Sequence, residues 1–430
     1  MSKDNTFLKS TLILLIGGIF GKLVGFILKL IVTRHLGTEG MGLYSLLSPT
    51  SSLLSVIAVF SYSNAVSKII SESSSRAKSL FLSIFPISIL INLFFIVLII
   101  IFSPILSNVL LKESVLYYPI ISLSLVMPFM SFSSIIKGYF WGKQNMMPYM
   151  LSNFIEQVVR LVIIILFIDY FISISLIHAL CFVILVNIIG EISSEIVMIL
   201  FMPKVKIHLS DFKINFSEVK KIMDFCLPVT FSRIIASISY FLEPILITNM
   251  LLYVGYTSNY IVYEYGIVNA YALSTLLLPE FFTQNMSTSL VPELSKNYKV
   301  HNIKLCKKRI KQIVFLSLLI GGLSTIIITI YPEFFLNILY KTNEGADYIR
   351  LLSPFTLLFY IENPLVNSLQ ALGKTKQIFL ITIKTSIIRV LSIIIFSLFK
   401  IGMYSLVVSI IINLITSTFL YYREIKKTLI

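Results

Sequence analysis

Long apolar segments separated by short polar gaps dominate this chain, and about twelve of them are long enough to cross a membrane. The hydrocarbon core of a bilayer is about 30 Å thick, so a helix needs roughly 20 apolar residues to span it. Only helices and closed barrels satisfy every backbone N–H and C=O group in lipid, and barrel strands alternate in polarity. The continuous apolar runs therefore predict an all-α, polytopic membrane protein.

The predicted spans lie close together along the chain, and one longer polar stretch follows the sixth. They are Leu8–Thr33, Met41–Ile69, Leu80–Leu106, Val115–Phe140, Pro148–Phe171, Ser173–Met202, Ile222–Tyr253, Tyr263–Met286, Ile313–Ile330, Tyr348–Leu372, Phe379–Leu398 and Met403–Tyr421. Glu264 and Glu280 interrupt the eighth span. Two lysines precede the first apolar run without a clean small-residue cleavage site, which favours a retained first helix over a cleaved signal peptide.

The longest polar stretch divides the predicted helices into six and six. We expect an N-terminal six-helix lobe at 1–202, a cytoplasmic linker at 203–221 and a C-terminal six-helix lobe at 222–430. Each half contains a Gly-Lys turn (Gly142, Gly373) followed by a helix with one arginine, Arg160 or Arg389, and an Ile-rich run. This match indicates parallel repeats related by an axis along the membrane normal. The alternative is that the abundance of Ile and Leu mimics part of it.

Positive charge is unevenly distributed over the gaps. Most lysines and arginines fall in every second gap and in the two tails, whereas the other gaps contain few of them: Arg34, Lys112, Lys341, Arg350 and Lys400. By the positive-inside rule, both termini should be cytoplasmic. The formal net charge of +15 is then a signal of topology and predicts no nucleic-acid partner.

Composition and motifs exclude several classes of function. The chain is 57% apolar and 13% charged, whereas a soluble domain has about 25% charged residues. It contains no phosphate-binding loop, nucleotide fingerprint or zinc-ligand spacing, and its three cysteines suggest neither disulfides nor a metal. We therefore predict a protein that is not an enzyme and needs no cofactor or metal.

Basic residues within the predicted spans are the first candidate site. Lys22 and Lys29 lie seven residues apart on one face of the first helix, about 10 Å apart along its axis. Arg34 follows at its outer end, and Arg233 lies in the first helix of the second half. One interpretation is a cationic cavity that binds a phosphate-bearing ligand. The other is that these side chains reach toward the interface or pair with acids.

Acidic residues within the spans are a second candidate. Glu191 and Glu195 lie four residues apart on one helix, where like charges repel. Either one of them is protonated or one pairs with a basic residue of another helix, and a role in ion coupling is open. Glu156 and Arg160 have the same spacing but opposite charges, which favours mutual neutralisation.

Several segments together resemble a known family. The end of the first helix reads Phe20-Gly21-Lys22-Leu23-Val24-Gly25-Phe26-Ile27-Leu28-Lys29, then Arg34-His35-Leu36-Gly37-Thr38-Glu39-Gly40, and Ser289-Leu290-Val291-Pro292-Glu293-Leu294-Ser295 follows later. These segments resemble the polysaccharide exporter branch of the multidrug/oligosaccharidyl-lipid/polysaccharide (MOP) flippase superfamily. The resemblance is strongest to stage V sporulation protein B-like and lipid II flippase-like proteins. With the Gly-Lys turns it covers essentially the whole chain.

The resemblance implies a two-lobed, MATE/MOP-like flippase of the bacterial plasma membrane that works by alternating access. Its cargo would be a lipid-linked oligosaccharide on a polyprenyl pyrophosphate, and membrane lipids and glycan-assembly enzymes would be its other partners. Basic residues around the phosphates would be Lys22, Lys29 and Arg34, with Arg233 matched by topology alone. Many relatives have fourteen helices, so the count of twelve puts lipid II itself in doubt as the cargo.

Two other functions stay open at this stage. A cation-coupled multidrug exporter of the same superfamily should have carboxylates in its N-terminal cavity, whereas the first helix here has lysines. A membrane scaffold for a glycan-assembly complex would not need a charged cavity.

Overall fold

The computed structural model describes residues 3–72, 77–143, 145–203 and 216–429, and these residues form helices without any strand. The helices are α1 (Lys3–Val59), α2 (Tyr62–Glu72), α3 (Ala77–Pro104), α4 (Tyr117–Gly142), α5 (Met147–Ile174), α6 (Leu176–Leu200), α7 (Phe216–Val254), α8 (Ser258–Gly266), α9 (Ser274–Leu276), α10 (Glu280–Lys299), α11 (Ile303–Ile330), α12 (Pro332–Tyr340), α13 (Ala346–Ala371), α14 (Thr375–Ser397) and α15 (Tyr404–Leu429).

The predicted fold class is confirmed, with about twelve spans. Nine helical segments in the described part of the chain are long and apolar enough to cross a membrane. The first of them, Leu23–Ile70, contains two spans, because α1 breaks at Gly37, where φ is 65° and ψ is −173°. That backbone conformation is almost exclusive to glycine. The remaining two spans are α13, which has polar residues near its middle, and the interrupted stretch from α8 to α10.

The outward-facing residues of these helices are apolar. Phe94, Ile101 and Leu166 have more than 60% of their surface exposed, and they lie within predicted spans. A soluble protein rarely exposes large contiguous apolar patches. Together with the length of the helices, this exposure is what a multi-pass protein presents to lipid.

Contacts divide the chain into two compact units. Unit 1 consists of Met1–Gly40 and Leu47–Ser237, and unit 2 consists of Met41–Leu46 and Ile238–Ile430. The division falls within α7. Most of the predicted linker at 203–221 lies outside the described residues, so the predicted domain limits stay a prediction.

Equivalent helices pack in the same way in each unit. In unit 1, α4 packs against α2, α3 and α6, and α5 packs against α6. In unit 2, α13 packs against α10, α11 and α15, and α14 packs against α15. Arg160 on α5 and Arg389 on α14 therefore lie on corresponding helices, as the predicted duplication requires.

The matching Gly-Lys turns need glycine for different reasons. A Cβ on Gly142, at the end of α4, would lie 2.8 Å from the carbonyl oxygen of Ser67, so this glycine permits close packing against α2. Gly373 instead follows α13 with φ at +73°, and no atom would touch its Cβ. Glycine is common at this position because it adopts the left-handed conformation that ends a helix.

Adjacent glycines on α11 provide a test of helix packing in unit 2. A Cβ on Gly321 would overlap the ring of the buried Tyr360, whereas one on Gly322 would lie 3.7 Å from Leu357. Gly321→Ala should therefore lower stability by about 1–3 kcal/mol. Gly322→Ala should leave stability unchanged or raise it by up to about 1 kcal/mol, because alanine favours helix. Thermal unfolding of the purified variants measures both, and equal effects would contradict this packing.

Candidate functional site

The four basic residues predicted to bind cargo all belong to unit 1. Lys29 and Arg34 lie on α1 and are exposed at the protein surface, and Arg233 lies on α7 and is also exposed. The side chain of Lys22 lies outside the described part of the structure. Their convergence on one cavity stays a prediction.

Close packing brings polar groups of α5 against α1 beside these lysines. A Cβ on Gly21 would lie 2.8 Å from Oδ1 of Asn153, and one on Gly25 would lie 3.4 Å from Oε1 of Gln157. The two glycines therefore allow the amide side chains of α5 to approach the backbone of α1. Asn153 and Gln157 were not predicted as site residues, although glycines four apart on a helix are a known signal of close approach between helices.

A buried ionic cluster lies in the interior of unit 1. Arg160 on α5 pairs with Glu156 one turn earlier, at 2.6 Å, and with Glu191 on α6, at 3.6 Å. The ammonium group of Lys137 on α4 lies 3.8 Å from the other oxygen of Glu191. Three helices therefore share one network of charges, which is the usual arrangement for ionisable groups at membrane depth. We name Lys137, Glu156, Arg160, Glu191 and Glu195 the unit 1 cluster.

The pairing of Glu191 answers one of the questions left by the sequence. The carboxylate of Glu191 contacts basic residues of two other helices. The i,i+4 pair of Glu156 and Arg160 forms as its spacing predicts. Lys137 was not singled out from the sequence, although a lysine within an apolar span signals that another helix supplies a partner.

Gly190 of α6 leaves room for Arg160 of the unit 1 cluster to pack against the helix backbone. A Cβ at this position would overlap the Nε atom and the aliphatic stem of Arg160, so the stem lies directly on the backbone of α6. Long basic side chains commonly bury their methylene groups in this way. The guanidinium group is therefore fixed between Glu156 and Glu191.

Unit 2 contains a second buried ionic group at the corresponding arginine. Arg389 on α14 pairs with Glu243 on α7, and the hydroxyl of Tyr265 donates a hydrogen bond to the same carboxylate at 3.2 Å. Glu243 is 1% exposed. On α13, Glu362 accepts a hydrogen bond from Ser417 of α15 at 2.9 Å. The arginine repeated in sequence is thus paired in both units, but with acids from different helices.

Metal ligands are not grouped in the part of the chain that the structure describes. Within it, no cluster of three or more His, Cys, Asp or Glu side chains has a geometry suited to a metal ion. The three cysteines are free thiols.

Family models and known proteins match most of this chain. The model described as "Polysaccharide biosynthesis protein" matches residues 7–298, and the MatE model matches residues 232–395. Stage V sporulation protein B of Bacillus subtilis (strain 168) is 30% identical over 440 residues, which cover 99% of this chain and 84% of that protein. Sporulation protein YkvU of the same organism is 24% identical, covering 99% and 96%.

Solved structures share the fold. An inward-facing multidrug resistance MATE family transporter of the MOP superfamily aligns with a TM-score of 0.76 at 15% identity, covering 95% of this chain and 94% of that chain. A MOP superfamily transporter from Pyrococcus furiosus aligns with a TM-score of 0.63 at 15% identity, covering 98% and 95%. At this identity the alignments show a common fold.

The buried pair in unit 2 supports a stability prediction. Glu243→Gln or Arg389→Met alone should lower stability by about 3–5 kcal/mol, because each leaves one charge buried without its partner. The double variant should recover most of that loss. A double-mutant cycle of thermal unfolding measures the coupling.

An exposed ion pair provides the control for this cycle. Glu333 and Arg350 also pair, but both side chains are more than 40% exposed, so Glu333→Gln should change the unfolding midpoint little. Additive effects of Glu243→Gln and Arg389→Met would show that the pair is not coupled.

Proposed function

We propose, from the premise that this chain belongs to the family of polysaccharide biosynthesis proteins within the MOP superfamily, that it is a flippase for a lipid-linked oligosaccharide. Its cargo would be a glycan on a polyprenyl pyrophosphate, a precursor of cell wall or polysaccharide. The protein would move this cargo from the inner to the outer leaflet by alternating access. Family and fold make it a transporter; the cargo is the proposal.

The observation that carries the proposal is the charge of α1. Between Lys9 and Arg34 this helix contains Lys22 and Lys29 but no Asp or Glu. Ionisable residues at membrane depth face a protein interior or a wet cavity, because exposure of a charge to lipid is costly. Lysines in a stretch without any acid favour a ligand that is itself an anion.

A pyrophosphate needs such cations in order to cross. An unpaired charge moved into an apolar medium costs far more free energy than folding supplies. Fixed cations offset that cost, and charge-assisted hydrogen bonds to phosphate are among the strongest that proteins form. Lysine acts as a point charge, whereas arginine binds phosphate bidentately. Two lysines therefore suit a cargo that must be released on the far side.

The relatives support a glycan as cargo. One matching protein of Staphylococcus aureus is a capsular polysaccharide biosynthesis protein, 26% identical over 228 residues, and two others are sporulation proteins. Glycan-assembly enzymes are accordingly the proposed protein partners. We place the protein in the bacterial plasma membrane with both termini in the cytoplasm, from the distribution of its basic residues.

A cation-coupled multidrug exporter is the second candidate. The MatE model covers residues 232–395, and the structural relatives include multidrug resistance transporters. An exporter of cationic drugs would need acidic side chains facing its cargo. The lysines of α1 and the exposed Arg233 favour an anionic cargo instead.

Substitution of the α1 lysines tests the proposed cargo. Lys22→Ala and Lys29→Ala should each weaken binding of a polyprenyl pyrophosphate by about 10- to 100-fold, because each removes a charge-assisted hydrogen bond worth about 1.5–3 kcal/mol. Lys22→Arg should retain part of the activity. Native mass spectrometry with added polyprenyl pyrophosphate measures binding, and a reconstituted flipping assay measures transport.

Lys376→Ala is the matched control, since this exposed lysine at the start of α14 lies outside the proposed site. Flipping at the parental rate by both α1 variants would contradict the proposal. Saturable export of a cationic dye by proteoliposomes that do not flip the lipid would favour the multidrug exporter.

Topology is tested by labelling of introduced cysteines. In a background without Cys181, Cys226 and Cys306, cysteines placed near Lys206 and Lys307 should react only with reagents that reach the cytoplasm, because both positions lie in basic gaps. A cysteine placed near Lys400, in a gap poor in basic residues, should react from outside. The reverse pattern would contradict the proposed orientation.

A further inference from the structure

The formal charges of the unit 1 cluster do not balance. Its acids are Glu156, Glu191 and Glu195, and its bases are Lys137 and Arg160, so the ionised cluster would have one negative charge in excess. Glu156 is 4% exposed and Glu191 is 6% exposed. A buried charge without a partner is disfavoured far more strongly than a neutral carboxyl group.

The unit 1 cluster also contains buried polar atoms that lack a hydrogen-bond partner. Each of the three glutamates has one buried carboxylate oxygen without a hydrogen-bond partner in the described part of the structure: Oε2 of Glu156, Oε2 of Glu191 and Oε1 of Glu195. Most buried polar atoms in proteins have such a partner. Nε of Arg160, a donor in the same cluster, is also buried without a partner in the described part of the structure. The cluster therefore lacks one positive charge, and its hydrogen bonds are incomplete.

Glu195 is the acid of the unit 1 cluster that pairs with neither of its two bases. Arg160 contacts Glu156 and Glu191, and Lys137 contacts Glu191. Among the described residues, Glu195 has no ion-pair partner within 4 Å. The charged groups around it are Lys137 from α4, Glu156 and Arg160 from α5, and Glu191 on α6 itself.

We propose that the unit 1 cluster binds one exchangeable proton, carried by Glu195 and shared with Glu191, and that its release is coupled to transport. A proton on Glu195 cancels the excess negative charge and turns its carboxyl group into a hydrogen-bond donor. On release the carboxyl O–H bond breaks, the electron pair stays on the carboxylate and the proton passes to water.

The packing of unit 1 links this proton to the helix that carries the proposed cargo site. Gly190 fixes the stem of Arg160 to α6, so a change of charge at Glu195 acts on an arginine held between α5 and α6. One to two turns earlier on α5, Asn153 and Gln157 lie against the backbone of α1 beside Lys22. Protonation thus biases the contact between α5 and α1, and only this coupling step rests on the proposed function.

Whether the unit 1 cluster binds a proton can be tested in the purified protein without any cargo. Infrared spectra of the purified protein at neutral pH should contain the band of a protonated carboxyl group that shifts in D₂O, and Glu195→Gln should remove it. Glu362→Gln, which removes a buried glutamate of unit 2, is the matched control and should leave that band unchanged. A spectrum of Glu195→Gln that loses only carboxylate bands would overturn the proposal.

A second measurement on the unmodified protein covers the case in which Glu195→Gln does not fold. A hydrophobic carbodiimide reacts with protonated carboxyl groups in apolar surroundings, and mass spectrometry then locates the modified residue. Modification should fall on Glu195 or Glu191 and should decrease as the pH rises. Modification of Glu362 without any at Glu191 or Glu195 would overturn the proposal.

Coupling is tested in proteoliposomes with a polyprenyl-pyrophosphate oligosaccharide and an imposed pH gradient. Glu195→Gln should make flipping at least tenfold less sensitive to the gradient, whereas Glu195→Asp and Glu362→Gln should keep the parental response. Loss of the response in Glu362→Gln alone would place the coupling elsewhere and overturn the proposal. If no variant flips the lipid, the proposed function fails, while the spectra and the labelling still decide whether the proton is there.

Discussion

The cost of placing a charged group in lipid is the constraint on which the rest of this structure depends. Charged side chains at membrane depth are rare and need partners, and here the partners come from different helices. In unit 1, one arginine connects two acids on two helices, and a lysine of a third helix joins them. In unit 2, a single arginine connects α14 to α7. These contacts fix which helices must be neighbours.

The helices of the two units pack in the same way, but the buried arginines have different partners. Corresponding helices pack against one another in each, and the repeated arginine lies on the corresponding helix. Yet Arg160 is neutralised by an acid of its own helix and one of α6, whereas Arg389 pairs with Glu243 of α7. Unit 1 has an excess of acids around its bases, and unit 2 holds its glutamates with hydroxyl groups of Tyr265 and Ser417. The helix packing is what the predicted duplication requires, whereas the partners of the buried charges differ between the units.

A transporter gains from this division of roles. The proposed cargo site of basic residues would have to bind a pyrophosphate and then release it, so its affinity would have to change with conformation. A group whose charge changes by one proton can contribute to such a change only if it lies in a rigid network. The contact of Gly190 with Arg160 provides that rigidity, and the amides of Asn153 and Gln157 bring the same helix against α1.

The sequence by itself determined the fold class, the approximate spans and the family. Apolar length is a local property that lipid imposes on every spanning helix, and the segments around Lys22, Lys29 and Arg34 carry the resemblance. The i,i+4 pair of Glu156 and Arg160 was also within reach, because one helix brings both residues together. Even the interrupted eighth span was visible from Glu264 and Glu280.

Only the tertiary structure decided which charges meet across helices. Nothing local in the sequence links Lys137 to Glu191, or Arg389 to a glutamate 146 positions earlier at Glu243, because such contacts depend on how distant helices pack. The same holds for Gly190, whose missing side chain matters only because Arg160 lies across it. The excess acid in the unit 1 cluster follows from these contacts, since a charge balance exists only once the neighbours are known.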